Sequence, residues 1–211
     1  RVNMLVNQIR AWEVLDERVL AVIEATPREG FVPAAYRGLA YADLMVPLAH
    51  GQCMWPPKVE ARMVQALGLR RTDAVLEIGT GSGYVTALLA RLGAYVTSVE
   101  LFPELSAGAA SALAAHGVRN VRLEIGNAAG GWPDNGPYDA ILVTGSVPEI
   151  PPALLESLRP GGRLGIVVGR APVMHALLVV CEGPGQFRQE ALFETVVPPL
   201  EHVNLKAGFE F

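Results

Sequence analysis

The pattern of apolar and polar positions changes character near residues 69–73. Beyond that point, short apolar runs alternate with longer stretches of helical spacing. Residues 74–78 (AVLEI), 95–99 (YVTSV), 121–125 (VRLEI), 140–143 (AILV) and 164–168 (LGIVV) read as strands. Several are apolar at consecutive positions rather than at alternate ones, which predicts a parallel sheet covered on both faces. Helices are predicted over 84–91, 103–116 and 152–158. The second has Pro103 in its first turn and Gly117 as its stop, and the third ends before Pro160-Gly161-Gly162. After Leu177, the runs LLVVC and FRQEALFETVV follow with no helix between them. They predict an antiparallel hairpin at the sheet edge.

Upstream of residue 69 the pattern is helical. Residues 16–25 (DERVLAVIEA) carry Asp16 as a cap, with Val19, Leu20, Val22 and Ile23 as the apolar positions. Residues 4–12 predict a further helix, and 58–67 (KVEARMVQAL) an amphipathic one after Pro56-Pro57. Residues 50–57 (HGQCMWPP) fit neither period and read as a loop, a candidate lid or substrate loop. The expected organisation is an α/β core over 69–211, with residues 1–68 as a helical extension carrying this loop, together one domain.

Composition narrows the classes. Hydrophobic residues make up 51% and charged residues 18% of 211, with mean hydropathy +0.30, which excludes intrinsic disorder. A net charge of −4 and the lack of a basic stripe argue against a nucleic-acid partner. The stretch 164–180 is broken by Arg170, Pro172 and His175, short of the ~20 apolar residues a membrane helix requires. The opening RVNMLVNQIR carries charge and amides, unlike a secretory signal. Cys53 and Cys181 are too few and too far apart for a disulfide framework or a metal site, and the four histidines show no ligand spacing. A cytoplasmic protein without a metal is expected. Asp43 and Glu60 read as solvated or capping residues, Cys53 as a packed small side chain, and Trp132 as a structural anchor.

The chemistry concentrates in VLEIGTGSGY, residues 75–84. A strand runs into Gly79, Gly81 and Gly83 and then into a helix, so the backbone can turn tightly and approach a ligand. Position 84 is tyrosine, where the dinucleotide fingerprint needs glycine. Glu77 at the strand end would repel a pyrophosphate and suit an ammonium or sulfonium group. Glu100 ends the next strand, where a carboxylate accepts from both ribose hydroxyls. Asn127, after the third strand, offers an acceptor to an adenine amine. These features together suit S-adenosyl-L-methionine.

Over nearly its whole length the chain resembles the protein-L-isoaspartate O-methyltransferase family. The matching segments include the run over residues 7–37 with FVP at 31–33, LAYAD (39–43), HGQ (50–52), the glycine loop, NVRLEIGNAAGGWP (120–133), residues 137–164 and VVPPL (196–200). The resemblance implies a seven-stranded, Rossmann-like methyltransferase sheet, mostly parallel with an antiparallel C-terminal hairpin, plus N-terminal helices. It implies methylation of the isoaspartyl carboxylate in damaged proteins and peptides. Glu77, Gly79, Thr80, Gly81, Gly83, Glu100, Leu101, Asn127 and Ala128 would hold the cofactor. His50, Gln52, Cys53, Met54 and Trp55 would form the acceptor side. There the family carries Gly-Gln-Thr-Ile-Ser before a proline, and this chain carries Gly51-Gln52-Cys53-Met54-Trp55-Pro56. Trp55 stands at the family's serine position.

Overall fold

The computed structural model describes residues 1–203. The chain opens with one helical stretch in three parts: α1 (Val2–Met4), a π turn (Leu5–Ile9) and a 3-10 turn (Arg10–Trp12). Next comes α2 (Glu17–Ala25), whose Asp16 Oδ1 accepts from the Arg18 N–H at 2.8 Å as the sequence predicts. The predicted loop at 50–57 is more ordered than its composition suggests. β1 (Val46–Pro47) pairs antiparallel with β2 (Cys53–Met54) around a 3-10 turn, and α3 (Pro57–Ala66) follows at once.

The core alternates β3 (Ala74–Ile78), α4 (Tyr84–Leu92), β4 (Tyr95–Glu100), α5 (Pro103–Ala115) and β5 (Val121–Ile125). It continues with β6 (Tyr138–Val147), α6 (Pro152–Glu156), β7 (Leu158–Arg170), β8 (Val173–Gly183) and β9 (Gln186–Glu194). These strands form a seven-stranded sheet in the order β5-β4-β3-β6-β7-β8-β9. Strands β3 to β7 run parallel, and β8 and β9 are antiparallel.

Two predicted ends shift for one reason. The β6–β7 ladder passes from Tyr138↔Leu158 to Ala140↔Arg163, so 159–162 bulge out of register. Pro160-Gly161-Gly162 therefore sits inside the strand span rather than ahead of it. The ladder also shifts between Leu142↔Gly165 and Ser146↔Val167. That second bulge re-aims the end of β6, where Thr144 and Gly145 lie.

Two buried apolar clusters form. The larger joins Met4, Ile23, Trp55 and Met63 from the N-terminal part to Leu88, Val96 and Val167 of the core. The smaller packs Leu154 and Leu158 on Leu76, Ile141 and Ile166. The N-terminal elements are thus part of the main core, which positions the β1–β2 ribbon beside the sheet's carboxyl edge.

Candidate active site

From β3 the chain winds outward one way to β4 and β5, then returns to place β6 on β3's other side. That reversal leaves a crevice at the carboxyl ends of β3 and β6, where ligands bind in open α/β sheets. A cleft of about 920 Å³ lies there, walled by the ends of β3, β4 and β6, residues 126–129, the β1–β2 ribbon and residues 198–201.

The glycine loop forms the cleft's floor. Gly79 (φ 95°) and Gly81 (φ 54°) hold left-handed backbone, and a Cβ on Gly79 would lie 2.3 Å from Thr144 Oγ1. The Gly81 N–H donates to Glu100 Oε2 at 2.8 Å, and the Phe102 N–H donates to Oε1 at 3.0 Å. Glu100 is 4% exposed, and its carboxylate is held against the cleft wall. Each oxygen keeps a free lone pair, enough for a vicinal diol. Thr80, Leu101, Asn127 and Ala128 also line the cleft. Asn127 Oδ1 accepts from the Ala129 N–H at 3.0 Å, which fixes the amide's orientation.

Gly83 and Glu77 lie outside the lining. Gly83 is the N-cap of α4, and its missing side chain makes room for α5: a Cβ there would lie 3.0 Å from the Ala109 Cβ. Glu77, expected to face a cationic ligand group, lies one residue inside the end of β3 and is covered by Thr86 of α4. Its Oε2 accepts from Thr86 Oγ1 at 2.5 Å and from Ser98 Oγ at 2.6 Å, while Oε1 is buried with no partner among the described residues. Ser98 Oγ also lies 2.6 Å from Thr80 Oγ1, so a chain of hydroxyls joins Glu77 to the cleft. Burial pushes the Glu77 carboxyl up to about 8, against the pull of the Ser98 and Thr86 hydroxyls and with a further push from Glu100.

The acceptor side is built differently. Leu48, Gln52, Cys53, Met54 and Trp55 line the cleft from the ribbon, and Leu200 and Glu201 line it from the opposite rim. Gln52 Nε2 bridges the two, donating to the His50 carbonyl at 3.2 Å and to Glu201 Oε1 at 3.4 Å. His50 itself lies outside the lining, at the rim. Its ring stacks on Phe102 (centroids 4.4 Å apart, 2° between planes) and pairs with Glu104. Trp55 is 3% exposed and belongs to the main apolar cluster, so it forms a wall and does not plug the cleft. Burial, with the charge of Glu60, pushes the Cys53 thiol up, which disfavours the nucleophilic thiolate.

A model of the family described as protein-L-isoaspartate(D-aspartate) O-methyltransferase matches residues 1–201. The chain belongs to this family. It is 46% identical over 181 residues to protein-L-isoaspartate O-methyltransferase 1 of Anaeromyxobacter sp. (strain Fw109-5), covering 85% of each chain. It is 46% identical over 169 residues to the protein-L-isoaspartate O-methyltransferase of Methanoculleus marisnigri, covering 80% of this chain and 77% of that one. A solved protein-L-isoaspartate O-methyltransferase superposes with a TM-score of 0.80 at 26% identity, over 94% of this chain and 65% of that one. A Plasmodium falciparum relative in fold, solved in complex with S-adenosyl-L-homocysteine, gives 0.78 at 19% identity, over 93% and 96%.

For an isoaspartyl methyltransferase, the most informative residues were not singled out by the sequence. Glu60, read above as solvated or capping, is 2% exposed and lines the cleft. It pairs with Arg28, which is fully buried: Nε donates to Oε2 at 3.0 Å and Nη2 to Oε1 at 3.1 Å. Burial pushes the Glu60 carboxyl up, while the Arg28 charge pulls it back. A signal existed, because Glu60, Met63, Val64 and Leu67 share one helical face, which puts Glu60 among core positions. Asp43, by contrast, is the surface partner of Lys58 at 2.6 Å.

Proposed function

We propose that this methyltransferase transfers a methyl group from S-adenosyl-L-methionine to the side-chain carboxylate of isoaspartyl residues in damaged proteins and peptides. The observation that carries this reading is one cleft in which the doubly anchored Glu100 carboxylate faces the ribbon of Cys53, Met54 and Trp55. Among the described residues, the charged groups lining it are Glu60, Glu100 and Glu201, with no Lys, Arg or His. Such a wall repels a dinucleotide's phosphates and suits a sulfonium cofactor.

Gly79, Thr80 and Gly81 would hold the amino-acid end of the cofactor, Glu100 would accept hydrogen bonds from its ribose hydroxyls, and Leu101, Asn127 and Ala128 would bound the adenine. Glu77 and Gly83 support this cradle from behind. When bound, the cofactor supplies an electrophilic methyl group and the site's positive charge. An isoaspartyl carboxylate, with a pKa of about 4, is already ionised at neutral pH and needs no general base. The chain's own work is alignment and exclusion of water. Trp55 and Met54 present a dry wall, and Gln52 closes the rim against Glu201. The ring of His50, held against Phe102, serves this rim and removes no proton.

Residues 1–68 and the core from residue 69 act as one unit through their shared apolar cluster, residues 204–211 lying outside the described residues. No helix among the described residues is long and apolar enough to cross a membrane, and Cys53 and Cys181 are free thiols. The test is transfer of a radiolabelled methyl group to an isoaspartyl peptide beside its aspartyl twin. Labelling of the first alone is expected; labelling of neither, or of both equally, overturns the reading.

A further inference from the structure

The wall of the acceptor side is held by more than its two-residue ribbon. Arg28 gathers four separate segments around one guanidinium. It forks onto both oxygens of Glu60 on α3, donates from Nη1 to the Ala40 carbonyl at 2.6 Å, and from Nη2 to the Trp55 carbonyl at 2.7 Å. The guanidinium carbon lies 5.4 Å from the ring centroid of Tyr84, the first residue of α4 after the glycine loop. Arg28 and Glu60 are both almost wholly withdrawn from water.

Burying two charges is costly, and apolar residues of similar volume often serve stability as well or better. Apolar residues cannot, however, hold a carbonyl in place. The donor to Trp55 is therefore the part of the arrangement that packing could not replace. Glu60 completes it: its carboxylate orients the fork and faces the cleft next to Cys53.

We infer that Arg28 and Glu60 are a positioning pair that fixes the Trp55 backbone, and with it the acceptor wall, for the methyl transfer proposed above, on which the kinetic part of this inference rests. The pair touches neither reactant in this role. It acts through Trp55 and leaves the Glu100 side of the cleft alone.

The experiment compares the full chain with the double variant Arg28→Met, Glu60→Leu. Five quantities are read: thermal unfolding, S-adenosyl-L-homocysteine affinity by calorimetry, kcat and KM for an isoaspartyl peptide, and Trp55 fluorescence. For the last, Trp12→Phe and Trp132→Phe are placed in both proteins. The double variant is expected to stay folded and bind S-adenosyl-L-homocysteine within about threefold of wild type. Its kcat/KM should fall about 10- to 100-fold, as misplacement of a reacting group by ~1 Å does. Trp55 emission and its quenching by acrylamide should change. Arg28→Lys keeps the charge but cannot reach Glu60 and both carbonyls at once, so its kcat/KM should fall between the two. Unchanged kcat/KM and unchanged Trp55 emission in the double variant would overturn the inference. So would an equal loss of S-adenosyl-L-homocysteine affinity. Should the double variant fail to fold, Arg28→Lys, which keeps the buried charges paired, carries the same readouts with the same expected directions. A wild type that leaves the isoaspartyl peptide unmethylated defeats the functional reading instead, and Trp55 emission then decides the positioning pair by itself.

Discussion

The two walls of the cleft are built on opposite principles. The cofactor wall consists of strand ends and the turns that follow them, and its key bonds join a turn to itself or to the end of the neighbouring strand. Gly81 and Phe102 hold Glu100, and Ala129 holds Asn127. Most donors there are backbone N–H groups whose positions the parallel ladder already sets. The acceptor wall consists of a two-residue ribbon, and its fixing bonds span the chain. Arg28 reaches Trp55 and Glu60, and Gln52 reaches Glu201. A wall made from sheet geometry tolerates little change, while one made from side-chain contacts can be rebuilt residue by residue. That contrast accounts for a glycine loop that fits the cofactor pattern beside a Cys53-Met54-Trp55 run that departs from the family's loop.

The largest expected effect tests the cofactor wall from behind. Glu77 has a carboxyl raised to about 8 from an ordinary 4.5. The folded state therefore holds a proton that the unfolded state releases between those values. Glu77's contribution is fully present below about pH 4.5 and falls away as pH rises through 8, a change of up to ~5 kcal/mol. Glu77→Gln should remove this slope, so denaturant unfolding at pH 5 and pH 9 should differ less in the variant than in wild type. Equal slopes would mean that Glu77 is ionised throughout.

Next comes the acceptor wall. Trp55→Ser with Cys53→Thr restores the family's hydroxyls and removes a large buried ring. Stability should fall by about 3 kcal/mol or somewhat more, the range for truncating buried aromatics. S-adenosyl-L-homocysteine affinity should nonetheless hold within a few-fold, and isoaspartyl methylation per folded molecule should rise. Loss of cofactor affinity in calorimetry would break the division between the walls.

Glu100→Ala probes the cofactor side directly. It should weaken S-adenosyl-L-homocysteine by roughly 1.5–3 kcal/mol, the range for hydrogen bonds to a charged group, with acceptor KM little changed. An unchanged affinity would place the ribose elsewhere. The smallest effect is expected from Asn127→Ala, which loses one neutral acceptor and should weaken binding by about 1 kcal/mol. A larger loss would show that the amide also orders the turn around Ala129.

Much of this molecule is set by local pattern. Continuous apolar runs demanded a parallel sheet buried on both faces, because a two-sided strand has no polar positions to offer solvent. Gly79, Gly81, Glu100 and Asn127 were legible as cofactor residues because strand ends and the turns after them share one edge in any such sheet. Asp16 was legible as a cap for a similarly local reason. Tertiary structure decided the rest. Glu77 and Glu100 share one face of neighbouring strands, yet Glu77 stops one residue short of its strand's end and is covered by Thr86, while Glu100 ends its strand in the cleft wall. His50 sits at the rim and not in the lining, its ring held by Phe102 and Glu104, distant in sequence. Residues 50–57 look like a loop until Val46 and Pro47 pair with Met54 and Cys53. Arg28 and Glu60 lie 32 residues apart, and a buried charge is tolerated only once its partner is in place. Local periodicity determines which face each residue presents, but it cannot choose the partner that meets that face, because that choice is made only when distant segments pack.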